Sequence, residues 1–228
     1  MQAPARVFIF DLDGTLVDSL GDIAHHLRTV MVAQGLPAPS DVQTRAWVGS
    51  GARELIVRAV AELGGSRSAD ATLVSTLFDA FMAEYRAQPV ITTALYPGMA
   101  AQLDHIVREP DVKLAILSNK PHDLTVRISE QLLNAWGFAP VFGQRDGIAK
   151  KPDPTAALAI AAAYQVAPAQ CVFIGDTDVD VETGHAAGMP TLGVSWGIGD
   201  RHEMRAARPT AAIDHVSFLF SALRDLGR

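Results

Sequence analysis

The chain has 228 residues, 49% of them hydrophobic and 19% charged, with a formal net charge of −6. That apolar content excludes a disordered chain, which carries too little apolar surface to offset the entropy of ordering, and the length suits one large domain or a core with a smaller insert. The acidic balance excludes broad binding to nucleic acid or anionic membrane, since no basic excess can neutralise a polymer of phosphates, although a local positive site is compatible with it. The single cysteine, Cys171, has no partner for an intramolecular disulfide and, within Cys171-Val172-Phe173-Ile174-Gly175, reads as a buried strand residue. The N-terminal apolar run is too short for a signal sequence and is closed by Asp11, and no other stretch reaches membrane-spanning length without charge, so a cytoplasmic protein is expected.

The first predicted element is a strand over 7–10. Val7-Phe8-Ile9-Phe10 runs directly into Asp11 and Asp13, then Gly14 and Thr15, which puts two carboxylates at the carboxyl end of a buried strand. In open α/β sheets that is where sites form. Two acids so close repel, so a cation, a shared proton or water must stabilise them; Mg²⁺ and a phosphate are the first candidates. A helix follows, capped by Asp18 or Ser19, with Leu20, Ile23, Leu27, Val30 and Met31 at helical spacing before Gly35. Helices over about 52–63 and 68–85 repeat the pattern, the latter with Leu73, Leu77, Phe78, Phe81 and Tyr85 on one face. Residues 18–93 therefore read as all-helical. Past Tyr96-Pro97-Gly98, strands over 113–117, 141–142, 171–174, 191–194 and 211–213 alternate with helices over 121–136, 154–164, 180–187 and 215–226. This alternation predicts an α/β fold with a parallel sheet. Its core is expected over 1–17 and 94–228, with a helical unit inserted over 18–93.

The later strands also end in polar clusters. Leu114-Ala115-Ile116-Leu117 meets Ser118-Asn119-Lys120, and Val172-Phe173-Ile174 meets Gly175-Asp176-Thr177-Asp178-Val179-Asp180. Three strand ends converging on one crevice, with Lys150-Lys151-Pro152-Asp153-Pro154 between them, supply carboxylates, a hydroxyl and an ammonium. Metal-assisted phosphoryl transfer requires that set.

These motifs carry a resemblance. Asp11-Leu12-Asp13-Gly14-Thr15-Leu16, Ser118-Asn119, Lys151-Pro152 and Gly175-Asp176 with Asp180 match, in order, the four motifs of the haloacid dehalogenase superfamily of phosphohydrolases. Within that superfamily the chain resembles the phosphoglycolate phosphatases over nearly its whole length. The resemblance implies a Rossmann-like core with a helical cap inserted after the first strand. It implies Asp11 as the nucleophile that carries an aspartyl-phosphate and Asp13 as general acid and then base. Mg²⁺ would be held by Asp11, the main-chain carbonyl of Asp13, and Asp176, with Asp180 behind these or on a metal-bound water. Ser118 and Asn119 would bind the phosphoryl oxygens, and Lys151 would neutralise them and orient Asp11. The segment Trp47-Val48-Gly49-Ser50-Gly51-Ala52 resembles the substrate-facing cap loop, which makes Gly49, Ser50 and Gly51 candidate substrate residues, with Arg53 and Arg45 as candidates for charge recognition.

The remaining features read plainly. Gly49-Ser50-Gly51 lacks the later glycine and the preceding strand of a dinucleotide fingerprint. Lys120 and Lys150 read as solvent lysines, and Asp178 as loop or as a residue in the outer shell of the site. His25-His26, the one adjacent pair among the seven histidines, has no metal-ligand spacing, and the histidines read as surface residues or residues of the helical insert. Asp13 disfavours a haloalkanoate dehalogenase, and the absence of lysine from Asp18 to Tyr96 disfavours a phosphonatase. A β-phosphoglucomutase-like mutase, a pyrophosphatase or nucleotidase, and a phospho-accepting signalling protein are the competitors. The expected partner is a small phosphorylated metabolite, with the protein a monomer or homodimer.

Overall fold

The computed structural model describes residues 7–226; residues 1–6 and 227–228, assigned above to the α/β core, lie outside the described residues. In chain order the elements begin with β1 (Val7–Phe10) and β2 (Val17–Asp18), followed by α1 (Leu20–Ala33), α2 (Asp41–Trp47), α3 (Ala52–Leu63) and α4 (Ala71–Ala87). Next come β3 (Ala94–Leu95), α5 (Met99–Ile106), β4 (Lys113–Pro121), α6 (His122–Leu132), β5 (Val141–Gln144) and α7 (Thr155–Ala163). The chain ends with β6 (Cys171–Gly175), α8 (Asp178–Ala186), β7 (Thr191–Val194), α9 (Arg201–Ala206), β8 (Ala211–Ile213) and α10 (Leu219–Leu226). Two compact units result: Met1–Asp18 with Ala94–Arg228, and Ser19–Thr93.

In the first unit a six-stranded sheet has the order β5-β4-β1-β6-β7-β8, and every pairing within it is parallel. From β1 the chain builds outward through β4 and β5, then returns to the other side of β1 with β6. That reversal makes the carboxyl ends of β1, β4 and β6 the crevice of the fold. Strands buried on both faces must be apolar throughout, and all four residues of β1, β6 up to Ile174 and all of β7 are buried. One face of the pleat presents Val7, Ile9, Ala115, Leu117, Cys171 and Phe173 to Ala157, Ile160 and Ala161 of α7. Cys171 is thus a core residue, and burial pushes its thiol up to about 11, which leaves it unreactive.

The helices of α5 and α9 were not expected, and β4 is longer than the predicted 113–117. Ser118-Asn119-Lys120 looks like a turn in one dimension, yet all three residues are buried and β4 continues through them to pair Pro121 with Gln144. The short antiparallel pair of β2 and β3 was also not expected; it aligns Val17 with Leu95 and Asp18 with Ala94.

The second unit holds four helices around Ile23, Leu27, Met31, Leu55, Ile56, Val60, Leu77 and Phe81. Helix α2 was missed, although Ser40-x-x-Gln43 is a capping box: Ser40 Oγ accepts from Gln43 N at 3.2 Å and Gln43 Oε1 accepts from Ser40 N at 3.0 Å. Ser19 occupies the position before α1 but its side chain makes no cap hydrogen bond. His26 is buried rather than on the surface, where its Nε2 meets the Gln88 carbonyl at 3.0 Å. Phe78 is only half-buried, and the Arg53 guanidinium lies over its ring at 5.4 Å. No helix among the described residues is long and apolar enough to cross a membrane.

Candidate active site

The site grows from the end of β1. Asp11 N donates to Ile174 O of β6 at 2.9 Å, so the sheet register persists to the first carboxylate. The chain then turns through Gly14 at φ +86°, and the amides of Leu16 and Val17 converge on the Leu12 carbonyl at 3.0 and 3.1 Å. A Cβ at Gly14 would overlap the carboxylate of Asp176, which explains glycine there on steric as well as conformational grounds.

Asp11, Asp176 and Asp180 are all buried, and one carboxylate oxygen from each lies within 4.8 Å of the others. Lys151 joins them: its Nζ is 3.0 Å from Asp11 Oδ1 and 2.6 Å from Asp180 Oδ1. Asp180 is held in turn by Thr177, whose N and Oγ1 donate to Asp180 Oδ2 at 3.1 and 2.6 Å. Asp176 Oδ1 accepts from Thr15 Oγ1 at 2.9 Å, and its Oδ2 from the amides of Ile198 and Gly199, each at 2.9 Å. Each acid is therefore fixed by a separate segment of the chain.

The electrostatics follow from burial. Desolvation pushes the Asp11 carboxyl up to about 7; Lys151 opposes this, while Asp180, Asp176 and Asp13 add to it. Desolvation and the neighbouring Asp180 raise Asp176 to about 6 against the hydrogen bonds from Gly199 and Thr15. Burial also works against the Lys151 ammonium, but Asp11 and Asp180 outweigh it and hold its pKa above the ordinary lysine value. Three carboxylates facing one ammonium leave two negative charges uncompensated. A hard divalent cation fits that deficit and that all-oxygen donor set.

The other expected residues fall in two places. Asn119 is tied to the Lys151 loop by both ends of its amide: Oδ1 accepts from Lys151 N at 2.9 Å and Nδ2 donates to Lys151 O at 3.2 Å. It therefore braces the Lys151 loop, a task not visible in the motif. Ser118 is buried beside it, and its Oγ accepts from Lys120 N at 3.3 Å. Gly49, Ser50, Gly51 and Arg53 belong to the second unit. There Gly49 and Gly51 have φ of +119° and +94°, and Gly51 is the residue before α3. Arg45 lies in the last turn of α2.

Two readings need correction. Lys120 is not a solvent lysine: it is buried, and its Nζ lies 3.1 Å from both Oδ1 and Oδ2 of Asp13. The side chain of Asp13 accordingly stands apart from the three-acid cluster. Asp178 is not loop but the first residue of α8, where Thr177 and Asp180 form the capping box. Thr15, although part of the first motif, was given no role of its own, and residues 197–199 were not assigned to the site. The available signal for the latter was Gly197-Ile198-Gly199, since a Cβ at Gly197 would overlap the Asp176 side chain and one at Gly199 the Asp176 main chain.

Comparison with known proteins agrees with this geometry. The family model of the haloacid dehalogenase-like hydrolases matches residues 5–188. The chain belongs to that family. Among its relatives, the phosphoglycolate phosphatase of Psychrobacter arcticus is 33% identical over 96% of this chain and 95% of its own length. That of Pseudomonas putida is 33% identical over 96% and 80%, and that of Haemophilus influenzae 30% over 98% and 100%. Two solved structures share the haloacid dehalogenase-like fold. A predicted phosphoglycolate phosphatase from Haemophilus somnus superposes with a TM-score of 0.88 at 24% identity, covering 96% of this chain and 97% of the other. A haloacid dehalogenase-like family hydrolase from Streptococcus pneumoniae gives 0.81 at 20% identity, covering 96% and 98%.

Proposed function

We propose that this haloacid dehalogenase-like hydrolase is a Mg²⁺-dependent phosphatase that hydrolyses small phosphate monoesters, phosphoglycolate foremost, through an aspartyl-phosphate on Asp11. The observation that carries the reading is the buried Asp11–Asp176–Asp180 cluster with Lys151 3.0 Å from the nucleophile. The substrate is argued from relatives that are themselves phosphoglycolate phosphatases at 30 to 33% identity.

An Asp11 oxygen attacks phosphorus as the bond to the ester oxygen breaks, and Asp13 gives its proton to that departing oxygen. Water then attacks the aspartyl-phosphate, its proton passes to Asp13, and the bond from phosphorus to Asp11 breaks. Alcohol and phosphate are released, and both acids return to their starting forms. Lys151 compensates charge on the transferring group and, with Asp180 behind it, keeps the Asp11 carboxylate aimed. Ser118 and Asn119 serve the phosphoryl oxygens, Asn119 partly by fixing the Lys151 loop. Mg²⁺ would be held by the carboxylates of Asp11 and Asp176 and the Asp13 main-chain carbonyl, with Asp180 acting through Lys151; when bound it supplies neutralisation of charge on the phosphoryl group. The second unit we assign the role of a cap that selects the leaving group, through Gly49, Ser50, Gly51 and Arg53.

The test is Asp11→Asn assayed for phosphate release with Mg²⁺ on phosphoglycolate, sugar phosphates, nucleotides and pyrophosphate. We expect no release from any of them, and wild-type-like turnover would sink the mechanism. For the wild type, phosphoglycolate should stand among the highest kcat/KM values.

A further inference from the structure

The chain has four lysines, and only Lys120 and Lys151 are buried. Lys151 serves Asp11 and Asp180, whereas the charge contact described for Lys120 is Asp13. The Lys120 side chain is 3% exposed and that of Asp13 13%. An ammonium enclosed so completely needs hydrogen-bond acceptors, and the Asp13 carboxyl group supplies them. The contact is also symmetrical, with both oxygens 3.1 Å from Nζ. An ammonium centred between the two oxygens fixes the direction in which the carboxylate points. The root of Lys120 is fixed as well: Thr125 Oγ1 donates to its carbonyl at 3.2 Å and its amide donates to Ser118 Oγ at 3.3 Å.

We infer that Lys120 is a positioning residue for Asp13, aiming its carboxyl group at the oxygen that departs from, or attacks, phosphorus. The inference rests on the reading of Asp13 as the acid and base of a phosphatase. In the first half-reaction one Asp13 oxygen gives its proton to the ester oxygen as the phosphorus–oxygen bond breaks, while the other oxygen keeps the ammonium. In the second, the carboxylate takes the proton of the attacking water with the ammonium still in place. Lys120 gains and loses no proton in either step. Acting through Asp13 rather than on the substrate, it should on removal slow proton delivery without weakening binding.

The experiment compares Lys120→Met with the wild type on three esters in Mg²⁺: phosphoglycolate, ethyl phosphate and p-nitrophenyl phosphate. The value of kcat/KM reports the steps up to the first irreversible departure of the alcohol. A misaimed acid should cost on the order of 10²-fold there for both alkyl esters, with KM little changed. The loss on p-nitrophenyl phosphate should be far smaller, because nitrophenolate leaves without a proton. Lys120→Arg, which keeps the cation in altered geometry, should show the same ranking with a smaller loss; it carries the test if the Met variant does not fold. Equal losses on all three esters would mean a merely structural lysine and overturn the inference. A loss confined to phosphoglycolate would mean that Lys120 binds the substrate carboxylate, and unchanged kcat/KM would also overturn it. A wild type inert on all three esters would overturn the phosphatase reading and this inference together.

Discussion

Asp176 shows how far a single carboxylate depends on its surroundings. Thr15 holds one oxygen and the amides of Ile198 and Gly199 the other, and Gly197 lies against the same carboxylate with no room for a Cβ. Gly197→Ala must therefore displace either Asp176 or the 197–199 segment. We expect Mg²⁺ affinity to fall by about 10- to 100-fold, the usual cost of disturbing groups that orient a metal ligand, with secondary structure intact; titration of Mg²⁺ against activity and calorimetry checks it. Lys151→Ala has a different outcome. It leaves Asp11 and Asp180 facing each other without their shared ammonium, and turnover should drop by at least about 10²- to 10³-fold in steady-state assays while circular dichroism is preserved. At this scale the meeting of Asp11, Asp176, Asp180 and Lys151 was legible, because apolar strands that end in acids are a one-dimensional pattern. Lys120 was not, since nothing in Ser118-Asn119-Lys120 says that β4 continues through it. The 3.1 Å approach to Asp13 exists only once β1 and β4 lie side by side.

At the scale of elements, Asp22 holds the two ends of the second unit together. It lies in the first turn of α1, and its two oxygens accept from the amides of Ile91, Thr92 and Thr93 at 2.8 to 3.0 Å and from the hydroxyls of Thr92 and Thr93 at 2.6 and 2.5 Å. Burial works against its charge, but these donors outweigh it and keep its carboxyl at about 2. Asp22→Ala leaves three amides without their acceptor and should cost on the order of 2–3 kcal/mol. Hydrogen exchange checks this locally: the amides of residues 91–93 should lose protection while those of β1 keep theirs. The helices of this unit were readable where apolar periodicity was long, as in α3 and α4. The seven-residue α2 was overlooked because a helix so short shows almost no period, and only its capping box announces it.

For the whole molecule, the buried acids tie stability to pH. Asp11 rises from 3.8 to about 7 and Asp176 from 3.8 to about 6 on folding. Between about pH 4 and 7 the folded protein thus binds protons that the unfolded chain has released, and stability falls as pH rises through that interval. The metal-free protein should accordingly melt at decreasing temperature from pH 5 to pH 7.5, and Asp11→Asn should flatten that slope; a wild-type profile no steeper than the variant's would refute the assignment. If the ionised acids hold Mg²⁺ as proposed, at pH 7.5 it should raise the melting temperature, by about 2.7 kcal/mol of stability at a hundred times its Kd.

The sequence by itself determined the fold class, the positions along the chain of the main sheet-forming strands and the residues that meet at the end of β1, because buried parallel strands must be apolar throughout and an acid that terminates one stands out. Only the tertiary structure decided how the charges are paired. Lys151 faces Asp11 and Asp180, Lys120 faces Asp13, and Asn119 grips the Lys151 main chain. These contacts join residues 29 to 140 positions apart, so which ammonium compensates which carboxylate is set by the strand order β5-β4-β1-β6 and by the low tolerance of a buried crevice for unpaired charge.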